Sequence, residues 1–241
     1  MRVILVTGAN GHLGRAIAEA FLAEAPGNFV WLGVHNRRVN ADELVQRHPN
    51  RAACLTLDVT QPAAWHGAVE EIMARHGRVD VLVNNAGFHE DGLLATLPAE
   101  SWQRVLDANL HAVFHGCQAV LPAMIGQRHG RIINLSSLSA LLAPPGQSSY
   151  AAAKAGVLAL TQSLAKEVAR LGITVNAVCP GYVETEALAS LGDDERKAAL
   201  ARVPMRRFGT PAEVAAAVRF LACSEAGYVT GSRIKIDGGI F

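Results

Sequence analysis

Short apolar runs alternate with longer segments of helical periodicity along the whole chain. Most of the runs are apolar at every position, which is typical of strands covered on both faces of a sheet. They predict strands at residues 3–6, 29–34, 53–57, 79–83, 131–135, 173–178 and 233–236. The segments between them predict helices at 13–24, 41–47, 62–76, 98–127, 149–171 and 211–223. We therefore expect an α/β fold, a doubly wound parallel sheet of about seven strands with helices on both faces.

One segment, residues 182–210, departs from this alternation. Gly192, Asp193 and Asp194 stand there at positions where a packed element would be apolar. An insertion of this kind predicts a substrate lid beside a site. Because no repeat, low-complexity linker or change of composition divides the rest of the sequence, we expect a single domain over residues 1–241.

Composition narrows the classes of protein that remain. Apolar residues make up 50% and charged residues 18% of the 241 positions, unlike a disordered chain. With 22 Lys and Arg against 21 Asp and Glu, the net charge of +1 creates no overall attraction to nucleic acid or to anionic lipid. The uncharged stretch 132–153 contains Pro144 and Pro145, and the N-terminus has no signal-peptide pattern. We expect a cytoplasmic protein without a nucleic-acid or membrane partner.

The four cysteines are Cys54, Cys117, Cys179 and Cys223. They are far apart in the sequence, and they form neither a C-x-x-C pair nor a cluster with histidines. We therefore expect reduced thiols and no metal site.

A glycine loop follows the first predicted strand. Gly8, Gly11 and Gly14 would let the backbone approach a pyrophosphate, which the N-terminal amides of the following helix would bind. An ordinary strand-to-helix turn is the alternative, but the position after the first strand of an α/β pattern favours a dinucleotide. The predicted contacts in this loop are Gly8, Asn10, Gly11, His12, Leu13 and Gly14.

Tyr150 and Lys154 are four residues apart in a predicted helix and therefore share one of its faces. A nearby ammonium favours the phenolate and would lower a pKa that is ~10 in an unperturbed tyrosine. Such a tyrosine can donate a proton to a ketone or accept one from an alcohol. A chance surface pair is the alternative, although three alanines and Gly156 make this helix too apolar for an exposed position.

Five motifs, in one order, give the whole chain a resemblance to the short-chain dehydrogenase/reductase family. They are the glycine loop at 7–14, Asp58 after the third strand, Asn84-Asn85-Ala86-Gly87 after the fourth, Ser137 ahead of Tyr150 and Lys154, and Pro180-Gly181 after the sixth. Within the family the chain is most similar to the 3-oxoacyl-[acyl-carrier-protein] reductases, through residues 150–156, 172–180 and 227–239. The resemblance implies a Rossmann-like fold and NADPH-dependent reduction of a carrier-linked 3-oxoacyl thioester in fatty acid biosynthesis.

The resemblance also implies residue roles. Tyr150 would be the general acid, Lys154 would lower its pKa and hold the nicotinamide ribose, and Ser137 would orient the substrate carbonyl. Asn109 would complete a proton relay through water. Ser136 and Ser139 are alternatives to Ser137, and Asn109 could instead cap a bent helix. Beyond the glycine loop, Tyr150 and Lys154, the implied cofactor contacts are Asp58, Val59, Asn85, Ala86, Gly87, Pro180, Gly181, Val183 and Thr185.

The end of the second strand bears on the choice of cofactor. NAD-using relatives place an acidic residue there, whereas this chain continues with Asn36, Arg37 and Arg38. Two arginines without an acid favour the additional phosphate of NADP(H), which we expect to be the cofactor. Within the glycine loop, Gly11 replaces the basic residue of many NADP-using relatives and His12 replaces the middle glycine.

Two further expectations concern partners. Arg128 and Arg170 match or neighbour the carrier-docking positions of the reductases, although arginines are common at helix C-termini for their charge alone. The helices at 98–127 and 149–171 are apolar around much of their circumference, and the resemblance implies that a homotetramer covers them.

Other functions remain open at this point. They are reduction of another carbonyl (acetoacetyl-CoA, a sugar or a steroid) and NADP binding without turnover, as in a sensor. A sugar-nucleotide epimerase is disfavoured because the chain lacks a separate substrate domain.

Overall fold

The computed structural model describes residues 1–189 and 191–241, so residue 190 of the predicted lid lies outside it. In this part of the chain seven strands form one parallel sheet in the order β3-β2-β1-β4-β5-β6-β7. The strands are β1 (Val3–Thr7), β2 (Phe29–Val34), β3 (Ala52–Thr56), β4 (Val81–Asn84), β5 (Gly130–Leu135), β6 (Ile173–Pro180) and β7 (Arg233–Ile236). The predicted doubly wound α/β fold is confirmed.

Helices cover both faces of the sheet, and each face has its own apolar core. Successive side chains of β1 enter different cores: Ile4 and Val6 pack on one side, Val3 and Leu5 on the other. For this reason the central strands are apolar at every position. The first seven helices along the chain are α1 (His12–Glu24), α2 (Val39–Arg47), α3 (Pro62–His76), α4 (Ala99–Leu106), α5 (Ala112–Gln127), α6 (Ser139–Leu142) and α7 (Ser148–Val168).

The predicted helix at 98–127 is interrupted. A π-helical turn, Asp107–His111, separates α4 from α5, and the backbone N–H of Ala112 donates to the carbonyl of Asp107, five residues earlier. The side-chain amide of Asn109 donates to the carbonyl oxygen of Val105 at 2.9 Å, in place of a backbone donor. The apolar periodicity continues across this turn, so the sequence pattern gave no indication of it.

The segment 182–210 is more ordered than a plain loop. It contains α8 (Glu186–Ala189) and α9 (Asp193–Ala201), which pack around a small cluster formed by Leu188, Ala199, Val203 and Phe208. Its two ends are joined, because the N–H of Gly209 donates to the carbonyl of Tyr182 at 2.9 Å. α10 (Pro211–Ala222) then begins with Thr210 as its N-cap.

No helix within residues 1–189 and 191–241 is long and apolar enough to span a membrane. The four cysteines carry free thiols, of which Cys117 and Cys179 are buried. In the same part of the chain, His, Cys, Asp and Glu side chains form no group of three or more that could hold a metal ion.

Candidate active site

The order of the strands reverses between β1 and β4, and the loops that follow these two strands leave a crevice at the carboxyl edge of the sheet. Thr7 fixes this crevice: its hydroxyl donates to the carbonyl of Val83 and accepts from the N–H groups of Asn85 and Ala86, both at 3.0 Å. The side-chain amide of Asn85 donates back to the carbonyl of Thr7 at 2.8 Å. Thr7 is thus a positioning residue that was not predicted from the sequence.

The glycine loop is shaped for an anion. Gly8 has φ +65°, and a Cβ there would stand 2.9 Å from the Cα of Ala86. A Cβ on Gly14 would stand 2.3 Å from the carbonyl oxygen of Gly8. α1 begins at His12 without a side-chain cap, so the amides of its first turn have no partner within the helix. These amides suit the pyrophosphate of a dinucleotide.

Two side chains of the loop point to other elements. The Oδ1 of Asn10 accepts from the N–H of Asn40 at 3.0 Å, which ties the loop to α2. The Nδ1 of His12 accepts from the N–H of Glu186 at 3.3 Å, at the start of α8. Asn10 and His12 therefore join the glycine loop to its neighbours.

The ends of β2 and β3 form the far part of the crevice. Burial alone would raise the pKa of Asp58, but hydrogen bonds from the hydroxyl and N–H of Thr60 hold it below its ordinary value. The Nε2 of His35 lies 3.7 Å from Asp58. Arg38 is paired with Asp42 at 3.5 Å, whereas Arg37 is exposed and forms no ion pair with any described residue.

α7 places Tyr150 and Lys154 together, as their spacing predicts. The Nζ of Lys154 lies 5.6 Å from the centroid of the Tyr150 ring and donates to the carbonyl of Leu135 at 2.8 Å. Lys154 is only 4% exposed, and this burial lowers its pKa to about 8.

The predicted fall in the pKa of Tyr150 is wrong for this structure. Burial raises the pKa of its phenol, a hydrogen bond with Ser137 opposes the rise, and the charge of Asp91 adds to it. Desolvation of the phenol outweighs its hydrogen bond with Ser137, while Lys154 directs its Nζ to the carbonyl of Leu135.

The three candidate serines have different partners. The hydroxyl of Ser136 is buried and donates to the carbonyl of Lys154 at 2.9 Å, and that of Ser139 donates to Gln147 at 2.8 Å. Ser137 lines the cavity beside Tyr150 and accepts from the N–H of Ser139 at 3.1 Å. Of the three serines, only Ser137 both lines the cavity and forms a hydrogen bond with Tyr150.

Asn109 lies behind this pair, fully buried in the π-helical turn. Its amide nitrogen donates to Phe88 and Val105, but its Oδ1 has no partner among the described residues. Both this oxygen and the Nζ of Lys154 lie within 3.5 Å of the position that a Cβ on Gly87 would occupy. A Cβ on Gly87 would stand 2.4 Å from the Oδ1 of Asn109, so a glycine at this position is what allows Asn109 to lie here with an oxygen free to accept a hydrogen bond.

A cavity of about 550 Å³ opens in front of Tyr150. Of the predicted residues it is lined by Leu13, Ser137, Tyr150, Pro180, Gly181, Val183 and Thr185. Other lining residues were not predicted from the sequence, namely His89, Asp91, Gln147, Tyr182, Leu188, Leu191, Glu195 and Arg202. His89 and Asp91 follow the carboxyl end of β4, and this position was the one signal that could have identified them.

Arg128 and Arg170 are neighbours, as the guanidinium of Arg128 donates to the carbonyl of Arg170 at 3.4 Å. They precede β5 and β6, whereas Ser137 and Pro180 stand at the other ends of those strands. Within one chain the two arginines therefore lie at the opposite edge of the sheet from the cavity.

Comparisons with known proteins agree with this geometry. A family model described as enoyl-(acyl carrier protein) reductase matches residues 8–240. The chain is 43% identical to the 3-oxoacyl-[acyl-carrier-protein] reductase of Escherichia coli (strain K12) over 240 residues, which are 100% of this chain and 97% of that protein. The proteins of the same name from Thermotoga maritima and Vibrio cholerae are 43% identical over 242 residues (99% of this chain, 97% of that protein) and 41% identical over 240 residues (100% and 97%).

Both the family match and these relatives extend over nearly the whole chain. The single parallel sheet of seven strands is the Rossmann-like fold that the resemblance implies. The protein belongs to the short-chain dehydrogenase/reductase family and is an oxidoreductase with a nicotinamide cofactor.

Proposed function

We propose that this protein reduces the ketone of a 3-oxoacyl thioester, linked to an acyl carrier protein, to the 3-hydroxyacyl form with NADPH. The observation that carries the proposal is the meeting of Ser137, Tyr150 and Lys154 beside one cavity. The substrate is taken from the printed name of relatives that are 43% identical over the full chain.

Tyr150 is the acid in the proposed reaction. An ordinary tyrosine, with a pKa of ~10, is protonated at neutral pH, so Tyr150 holds the proton that the ketone oxygen must receive. Bound NADPH supplies the hydride for the carbonyl carbon. The phenol O–H bond breaks, the O–H bond of the product alcohol forms, and the hydroxyl of Ser137 holds the same oxygen in place.

In this proposal the phenolate left on Tyr150 takes a new proton from solvent water, along a path that Lys154 and Asn109 hold in place. The ammonium of Lys154 donates to the nicotinamide ribose, and the unpaired Oδ1 of Asn109 accepts from a water molecule beside it. Both groups stand within 3.5 Å of the position that a Cβ on Gly87 would occupy.

Further parts of the proposal concern the whole chain. Residues 1–241 form one domain in which 182–210 is the substrate lid, anchored by Gly209 and Tyr182. Arg128 and Arg170 dock the acidic carrier protein, and four copies of the chain assemble through α5, α7 and the C-terminal strand.

The test of the function is the Tyr150→Phe variant, with acetoacetyl-CoA as the substrate and nicotinamide absorbance as the readout. We expect the wild type to oxidise NADPH and the variant to lose ~10² or more in turnover, because a positioned acid is removed. The dissociation constant for NADPH should stay the same. Tyr228→Phe is the matched control, since Tyr228 is fully exposed and away from the cavity.

Near-normal turnover by Tyr150→Phe would contradict the assignment of the acid. A wild type that binds NADPH but oxidises none would instead favour another carbonyl substrate, or a sensor.

The choice of NADP over NAD is tested at Arg37. Because Arg37 has no ion-pair partner among the described residues, it is available for the additional phosphate of NADPH. Arg37→Ala should weaken NADPH binding by about tenfold and leave NADH binding unchanged. Arg38→Ala is the control and should have a smaller effect, since Arg38 is paired with Asp42. Tighter binding of NADH than of NADPH by the wild type would contradict this part of the proposal.

A further inference from the structure

A hydrogen-bonded chain of side chains runs along the wall of the cavity next to Tyr150. The Nδ1 of His89 lies 3.0 Å from one carboxylate oxygen of Asp91, and the other oxygen accepts from the amide of Gln147 at 3.0 Å. The carbonyl oxygen of Gln147 accepts in turn from the hydroxyl of Ser139 at 2.8 Å. These hydrogen bonds thus link the loop after β4 to the start of α7.

This arrangement fixes the ring of His89. The ring lies edge-on to that of Tyr150, with centroids 5.8 Å apart. Since a carboxylate only accepts, Asp91 takes the proton on Nδ1, and Nε2 is the nitrogen left for a ligand. No described residue bonds to Nε2, although the ring lines the cavity. When the imidazole is protonated, Nε2 is a donor toward the substrate space.

On the basis of the proposed function, we propose that His89, as an imidazolium paired with Asp91 at 3.0 Å, binds the thioester carbonyl oxygen of the 3-oxoacyl substrate. With the ketone oxygen held by Tyr150 and Ser137, the thioester carbonyl is only two carbon–carbon bonds away from the ketone carbon. A donor for it must therefore stand beside Tyr150, and His89 contacts that ring.

The other polar groups of the wall fit this role less well. Asp91 and Glu195 can only accept when they are ionised. Gln147 keeps a second N–H, and Tyr182 and Thr185 have hydroxyls, but of the lining residues only His89 has its ring edge-on to that of Tyr150. Arg202 is a donor, but it stands at the end of α9, on the lid side of the cavity. His89 is thus the residue that would select a substrate with two carbonyl groups over a simple ketone.

The test compares two substrates that differ in one group. Acetoacetyl-CoA has both carbonyls, whereas S-(3-oxobutyl)-CoA keeps the ketone and the CoA but has a methylene in place of the thioester carbonyl. The value of kcat/KM is measured for both with the wild type, His89→Ala and His89→Gln, each confirmed as folded by circular dichroism. His66→Ala is the matched control, because His66 is an exposed histidine of α3 outside the site.

We expect His89→Ala to lose about 10- to 100-fold in kcat/KM on acetoacetyl-CoA, the range for a hydrogen bond from a charged donor, and less than about twofold on the thioether. His89→Gln keeps a side-chain N–H without the charge and should fall between the wild type and His89→Ala on acetoacetyl-CoA. The ratio of the kcat/KM values for the two substrates, measured with one preparation, is independent of the amount of active enzyme.

Equal losses on both substrates would overturn the role of His89 and leave the proposed reductase standing. A wild type that reduces the thioether but not acetoacetyl-CoA would overturn both proposals, and so would one that reduces neither.

Discussion

Lys154 carries a positive charge at a position that is 4% exposed. Burial lowers its pKa from 10.5 to about 8, and a difference of this size corresponds to about 3 kcal/mol of unfavourable free energy for the charged form in the folded chain. The hydrogen bond to the carbonyl of Leu135 offsets about 1 kcal/mol of that cost. Because the buried charge destabilises the fold, a lysine at this position favours a functional role over a purely structural one.

This reasoning predicts that Lys154→Met stabilises the protein while it abolishes activity. At pH 7 the melting temperature should rise by about 4 to 8 °C, for a net gain of about 2 kcal/mol. Between pH 8 and 10.5 the unfolded wild type binds more protons than the folded one, so the stability of the wild type increases with pH and the difference from the variant narrows. Calorimetric scans at several pH values check both statements.

Lys166→Met is the control for this variant, because Lys166 is an exposed lysine of the same helix and should leave the melting temperature nearly unchanged. A Lys154→Met variant that melts below the wild type at pH 7, or a difference that does not vary with pH, would contradict the prediction.

At the scale of elements, the sequence predicted what depends on local periodicity. The four buried positions 3–6 of β1 and the four-residue spacing of Tyr150 and Lys154 could both be read from the sequence, because burial and helix geometry repeat at fixed intervals. The strand order itself, and with it the crevice between β1 and β4, became visible only in the structure, whereas the alternation of strands and helices predicted the doubly wound sheet.

Features that depend on contacts between distant segments were not predictable. Asp91 and Gln147 are 56 residues apart in sequence, and nothing in a loop without periodicity indicates that they bond. The π-helical turn could not be predicted from the sequence for a related reason. The side chain of Asn109 donates a hydrogen bond to the carbonyl of Val105, and the apolar pattern continues past this turn. The direction of the pKa shift of Tyr150 depends on how deeply the phenol is buried, which spacing alone does not reveal.

At the scale of the molecule, the parallel sheet separates two proposed sites. The cavity lies at the carboxyl edge of the sheet, while Arg128 and Arg170 lie at the amino edge. The length of β5, six residues or about 20 Å, separates these two edges. A carrier protein docked on these arginines would have difficulty reaching the cavity of the same chain. In a tetramer, the pair could instead serve the cavity of a neighbouring subunit, so the docking proposal depends on the proposed assembly.

The assembly itself can be tested through the helix faces that a neighbour would cover. Phe114 on α5 is 44% exposed, and Ala155 on α7 is also exposed. An arginine at either position would place a charge in an apolar interface, which costs several kcal/mol when it has no partner. We expect light scattering to give a mass of about 100 kDa for the wild type, four times the chain mass of 25.5 kDa, and smaller masses for Phe114→Arg and Ala155→Arg. Val39→Arg is the control: it changes an exposed apolar residue of α2 and should leave the measured mass unchanged. A wild-type mass near that of one chain would refute the tetramer.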